Sequence, residues 1–287
     1  MTELLQITIS GIAQGALYGL MALGLTVVFR ATTVLNFMHG QNFMVGGIVA
    51  FFGVTAWSLP YPIAILIALA AVFALGLLID RIAYRPLLRA PHLTQVFATI
   101  AISFILIGLA RMFVGDERPM PPIIGGQFLS IAGARVNPQH LVTAAVLIIT
   151  SGILAYVFQR TQAGLILRAS TQSARGASMV GIDVRMIAAA MWGVGGILGG
   201  MAGILAAPFL LVSAEMGVRP LILGFAAMTL GGFGTFPGAV VGGLIIGITE
   251  VAAGYYVSTT LGDAAGFALI FIVLLVRPGG LFGTREP

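Results

Sequence analysis

The chain has no cysteine, and all 14 of its basic side chains are arginine, so it has no lysine either. Without cysteine there is no disulfide framework, no thiolate chemistry and no cysteine-based metal site. Without lysine there is no GxxxxGK(S/T) phosphate loop, so any dependence on ATP has to come from a partner. Charge is scarce too. Only 8% of the residues are Asp, Glu, Lys or Arg, where a soluble domain carries roughly a quarter. The three histidines, His39, His92 and His140, are isolated and lack ligand spacing. Nothing in the pattern resembles an active site, and no catalysis or bound cofactor is expected of the chain itself.

What remains is mostly apolar. Hydrophobic residues make up 59% of the 287, and mean hydropathy is +1.08. Runs of about 17 to 25 apolar residues recur along the whole length, which argues a polytopic helical membrane protein. A β-barrel would show weaker alternation in segments of about ten residues. We therefore expect an all-α transmembrane bundle of eight to ten spans. They are read at 4–29, 37–57, 62–79, 93–112, 141–158, 186–207, 221–236, 239–257 and 264–276. The second opens with Asn36, His39, Gln41 and Asn42, and the seventh runs into Gly-Gly-Phe-Gly-Thr-Phe-Pro-Gly. Either is a full span or a half-span buried within protein.

Arginine assigns the sides. Arg81, Arg85 and Arg89 cluster in 80–92, and Arg160, Arg168, Arg175 and Arg185 face one acid, Asp183, in 159–185. The tail adds Arg277 and Arg285. Arg118 and Arg135 are instead balanced by Asp116 and Glu117, and Arg219 by Glu215. The positive-inside rule puts the first three segments in the cytoplasm and the other two outside, with the N-terminus outside. The net charge of +5 thus concerns orientation and lipid rather than nucleic acid.

Glycines recur four apart at Gly11, Gly15 and Gly19, and again at Gly195, Gly199 and Gly203. Such stripes let helices approach closely in lipid. Internal repetition is limited to MVGGIVAF against VVGGLIIG, too short to establish a repeat. Glu250 is the one acid well inside a span, either a functional carboxylate or an interfacial one. The polar segment 34–43, with Asn36, His39 and Gly40, is either a buried helix start whose free N–H groups meet an anionic group or an interfacial turn. The loop 159–185 is long, basic and rich in small residues. A chain that only seals a membrane has no need of it, whereas one gripped by a cytoplasmic partner does.

Several of these stretches resemble one family. Gly15-Ala-Leu-Tyr-Gly-Leu-Met-Ala-Leu-Gly-Leu-Thr26, Asn36-Phe-Met-His-Gly40 and Met44-Val-Gly-Gly47 are similar to the opening of branched-chain amino acid ABC transporter permeases of the LivH type. Gly164-Leu-Ile-Leu-Arg168-Ala169, Gly181-Ile-Asp-Val184 and Leu230-Gly-Gly-Phe-Gly234-Thr-Phe-Pro-Gly238-Ala239 continue the resemblance in order over nearly the whole chain. It implies a single transmembrane domain over 1–287, the permease subunit of an ABC importer in a bacterial inner membrane. It also implies two cytoplasmic ATPases carrying ATP and Mg, a sister permease and a periplasmic binding protein. The solute would be a branched-chain amino acid or a related small polar molecule. Residues 171–182 fall on the family's coupling helix. Gly164, Arg168, Arg175, Gly176, Ala177 and Gly181 are then the coupling residues, and Asn36, His39, Gly40 and Glu250 the candidates for the solute path. Arg175-Gly176-Ala177 stands where the family often has Glu-Ala-Ala, a reversed charge that an acid on the partner would have to match. Phe29-Arg30 likewise replaces the usual tyrosine and glycine. Two other readings stay open: an ion-coupled carrier or channel, and a non-transporting assembly subunit.

Overall fold

A computed structural model describes residues 2–123, 128–131, 134–277 and 279–283; Arg285 lies outside them. The described residues are helical apart from loops and one short hairpin, Leu129–Ile131 (β1) with Ala134–Val136 (β2). The helices are α1 (Thr2–Thr32), α2 (His39–Thr55), α3 (Tyr61–Ile79), α4 (His92–Val114), α5 (Pro138–Arg160), α6 (Gln162–Gln172), α7 (Ala174–Met179), α8 (Val184–Ala206), α9 (Val218–Gly231), α10 (Phe236–Tyr256) and α11 (Thr259–Val276). All nine apolar runs are helical, and among the described residues six helices are long and apolar enough to cross a membrane.

Local chemistry sets the ends. Proline in the first turn opens α3, α5 and α10, where its missing N–H costs nothing. Asn137 caps α5 by accepting from the Gln139 N–H at 3.0 Å. Gly115 at φ +63° closes α4. The seventh run does not continue to residue 236. Its helix stops at Gly231 because Gly232 takes φ +105°, a conformation that only glycine adopts readily.

The two doubtful runs are the half-span alternative. After α1 the chain runs through residues 33–38 without helical structure, and α2 then starts inside the protein. Residues 207–217 lead in the same way from α8 to α9. The two short helices meet at their first residues, the Gly40 backbone lying against that of Gly217. Glycine is required there, because a Cβ on either would fall on the other's carbonyl.

Around this junction the two halves pack reciprocally. Helix α1 runs antiparallel to α10, with Gly11, Gly15 and Gly19 opposite Ile248, Leu244 and Val240. Helix α3 runs antiparallel to α8, with Gly76 opposite Trp192 and Val72 opposite Gly196 and Gly200. Helix α2 packs on α8 and α3 as α9 packs on α1 and α10. This exchange relates α1–α3 to α8–α10 by an inverted repeat, an arrangement that places discontinuous helices at the repeat interface. The repeat lies in backbone direction and glycine placement and leaves almost no trace in residue identity.

The charges separate as the loops suggested. Arg30 stacks on Phe236 at the start of α10. Arg168 shares a cavity with Arg30, and Arg85 shares one with Arg185. Hydrogen bonds from Leu281 and Phe282 to the end of α9 hold the segment after Arg277 at this same end. The opposite end has the balanced pair Arg111–Glu215 and the bridge of Arg118 to Val212.

Candidate functional site

At the centre, the start of α2 is fully packed. Asn36 accepts from the Met38 N–H at 3.1 Å, and Thr99 of α4 accepts from the Phe37 N–H at 3.2 Å. The Asn36 carbonyl accepts from the His39 N–H at 3.2 Å. Gln41 donates to Ser103 of α4 at 2.7 Å. Protein atoms therefore take the N–H groups of residues 37, 38 and 39, as backbone inside a membrane demands, while the buried Asn36 Nδ2 has no partner among the described residues. The His39 ring has no exposed surface and wedges between Gly24 of α1 and Gly199 of α8, with Asn42 Nδ2 3.5 Å from its Nδ1. Among the described residues, two large cavities lie elsewhere and are not lined by Asn36, His39 or Gly40. The structure thus places these three at the packing centre, holding the half-helix in place.

Glu250 has different surroundings. It lies on α10 with its side chain 8% exposed, ion-paired with Arg219 of α9. Tyr18 of α1 hydrogen-bonds to Glu250 and accepts from Gln14 at 2.7 Å. The four side chains form one polar cluster where α1, α9 and α10 meet. Arg219 also lines a cavity of about 660 Å³ between α4, α9 and α11. Phe104, Ile107, Ile222 and Phe267 give that cavity apolar walls, and the Arg111–Glu215 pair stands on its rim. It offers both signs of charge beside an apolar surface.

The coupling candidates lie at the arginine-bearing end. Thr161 caps α6, accepting from the Gly164 N–H at 3.4 Å, and Ser173 caps α7, accepting from the Gly176 N–H at 3.0 Å. Helix α7 ends where the Ile182 N–H reaches the Ala177 carbonyl at 3.0 Å and the Gly181 N–H reaches that of Ser178 at 3.2 Å. Gly181 at φ +85° makes this stop possible. Asp183 at once caps α8 through the Arg185 and Met186 N–H groups. The region expected as one coupling helix is thus a six-residue helix between two caps, preceded by α6. Gly164 is buried, its Cα against the Phe158 backbone, and Ala177 is buried, while Arg168, Arg175, Gly176 and Gly181 are exposed. Met179 is 79% and Val180 76% exposed.

Sequence reasoning missed Arg219 as the partner of Glu250. It had counted Arg219 and Glu215 only as a balanced loop charge for assigning sides; in the structure Glu215 pairs with Arg111 of α4, and Arg219 reaches Glu250 from another helix. Tyr18 and Gln14, four apart on α1, were legible as a polar stripe.

Broken helices meeting inside a bundle, with backbone satisfied by neighbouring side chains, define a multi-pass membrane protein built like a transporter. The family described as "Branched-chain amino acid transport system / permease component" matches residues 7–276, and the chain belongs to it. The high-affinity branched-chain amino acid transport system permease protein LivH of Salmonella typhimurium is 30% identical over 299 residues, covering 98% of this chain and 96% of that one. LivH of Escherichia coli K12 is 29% identical over 297 residues with the same coverage. BraD of Pseudomonas aeruginosa is 28% identical over 296. Among solved structures, PsaBC from Streptococcus pneumoniae in complex with Fab matches with a TM-score of 0.50 at 11% identity. It covers 94% of this chain and 91% of that one, a likeness of fold alone.

Proposed function

We propose that this chain is the permease subunit of an ABC importer in a bacterial inner membrane. In this reading it moves branched-chain amino acids or related small polar solutes into the cytoplasm. Two separate ATPases hold ATP and Mg, a sister permease completes the pore, and a periplasmic protein delivers the solute. The chain itself catalyses nothing. The observation that carries the reading is the exposed, doubly capped α7 at the arginine-bearing end. Family membership and the lack of any phosphate loop support it.

The proposed mechanism follows the packing. An ATPase grips α7 by Met179, Val180 and Arg175, and Ala177 seats α7 on the protein. The cap at Asp183 joins α7 to α8 with no flexible linker, and α8 packs on α1, α2 and α3. A push on α7 therefore moves α8 against the half-helix junction, where Asn36, His39 and Gly40 set the position of α2. Nucleotide shifts the bundle only through different affinity for its two states. The solute route passes the cavity bounded by Arg111, Glu215 and Arg219, with Glu250 behind it. An amino acid with an apolar side chain fits that combination of both charges and an apolar wall.

Uptake by reconstituted vesicles tests this. With the co-purified partners, uptake should require ATP and the binding protein and survive an uncoupler. Uptake that an uncoupler abolishes while ATP stays high would favour an ion-coupled carrier, and no uptake at all would favour an assembly subunit.

A further inference from the structure

The second large cavity, about 780 Å³, lies at the arginine-bearing end between α5, α6 and α10, away from the proposed route. Its rim carries Arg30, Arg168, Gln159 and Thr171. No acid lines it, and neither arginine has an ion-pair partner among the described residues. Arg168 spends one donor, Nε, on the Gly164 carbonyl at 3.3 Å. Arg30 lies with its Cζ 5.1 Å from the centre of the Phe236 ring, which stacks in turn on Phe158 at 4.6 Å. The Arg168 charge acts unfavourably on Arg30, and an anion held between the two would relieve that repulsion.

Below the rim the walls turn apolar. Ile148, Gly152 and Ala155 line one side and Pro237, Val240 and Val241 the other. From Gln159 to Ile148 the groove follows α5 for about 16 Å at 1.5 Å per residue. That is close to half of the roughly 30 Å hydrocarbon core of a bilayer. A Cβ added at Gly152 meets nothing within 4 Å, so the groove is open there.

We propose that this groove binds one anionic phospholipid, its phosphate bridging Arg30 and Arg168 and one acyl chain lying along α5 and α10. Charge complementarity selects the head and the one-leaflet length selects the tail. Arg30 belongs to α1 and Arg168 to α6, so a bound lipid ties the helix leading into α7 to the central bundle.

Native mass spectrometry of the purified full chain in detergent tests this with phosphatidylglycerol and phosphatidylcholine as probes. An arginine near a charged headgroup is worth a factor of about five, so Arg30→Gln with Arg168→Gln should weaken phosphatidylglycerol retention roughly thirtyfold. Gly152→Leu keeps both charges and fills the groove, and it should also displace the lipid. Phosphatidylcholine should be held weakly by all forms. Unchanged phosphatidylglycerol retention in the double variant overturns the proposal. So does displacement of the lipid by millimolar inorganic phosphate with Gly152→Leu unaffected, since the groove then contributes nothing. If the double variant keeps its lipid but loses its protein partners, the arginines hold an acidic protein surface and the proposal again fails. A folded Gly152→Leu elution profile keeps the test valid if the double variant is unstable.

Discussion

The Arg219–Glu250 pair makes the sharpest energetic prediction. Glu250 is 8% exposed and Arg219 54%, so removing one partner leaves very different remainders. Arg219→Met leaves a buried carboxylate with Tyr18 but no cation. Breaking a buried pair this way costs about 3–5 kcal/mol, and the exposed head of Arg219 puts this case near the lower limit, ~3. Glu250→Gln leaves an arginine that still reaches solvent or headgroups, and it keeps a polar partner for Tyr18. Its cost is about one hydrogen bond to a charged group, ~1.5 kcal/mol. Independent effects would sum to ~4.5 kcal/mol. The combined variant instead leaves no buried charge and should lose only ~1.5, a coupling of about 3 kcal/mol. Thermal unfolding in detergent reads this directly, with Arg219→Met melting on the order of 10 °C lower and the double variant recovering most of the loss. Additive single effects would refute the coupling. The double variant should stay folded yet lose ATP-driven uptake, because Arg219 lines the proposed solute route. Full uptake by the folded double variant would take Arg219 and Glu250 out of the route and leave them a structural ion pair.

Other outcomes follow from the packing. Gly15→Ala puts a Cβ 2.7 Å from the Leu244 Cα and should cost about 1–3 kcal/mol in thermal unfolding, whereas Gly108→Ala, with open space around it, should be neutral or slightly stabilising. Gly181→Ala strains a left-handed residue by about 1 kcal/mol outside the bundle core; it should leave the melting temperature of the bundle unchanged and lower uptake per ATP hydrolysed. Ser173→Ala should act similarly through a lost cap of about 1 kcal/mol, and Ser173→Asp should restore coupling. Met179→Asp should leave the purified chain stable and reduce recovery of its ATPases.

The membrane class, the nine helical runs and the grouping of charges were legible because each rests on composition over many residues. Apolar length defines a span whatever its neighbours are. Glu250 was legible because one acid in an apolar run stands out, but its partner was not, since Arg219 reaches it from another helix. Residues 232–235 were read as helix because the apolar run continues there, and only the left-handed Gly232 ends it. The junction at Gly40 and Gly217 was hidden for a similar reason. A glycine chosen for contact with a distant backbone looks the same in sequence as one chosen for a turn. The polar residues 36–42 invited an anion-binding reading; Thr99 and the Asn36 side chain and carbonyl accept from three N–H groups there, while the buried Asn36 amide nitrogen has no acceptor among the described residues. The stretch 159–185 was read as a loop holding a coupling helix over 171–182; the caps at Thr161, Ser173 and Asp183, plain in the sequence, set shorter bounds.

The most direct measurement is recovery of the C-terminally tagged chain from native membranes in mild detergent, with the accompanying chains identified by mass spectrometry. The account predicts two P-loop ATPases and a second permease, with the Met179→Asp form losing the ATPases. Recovery of the chain alone, under conditions that keep other ABC complexes intact, would contradict it.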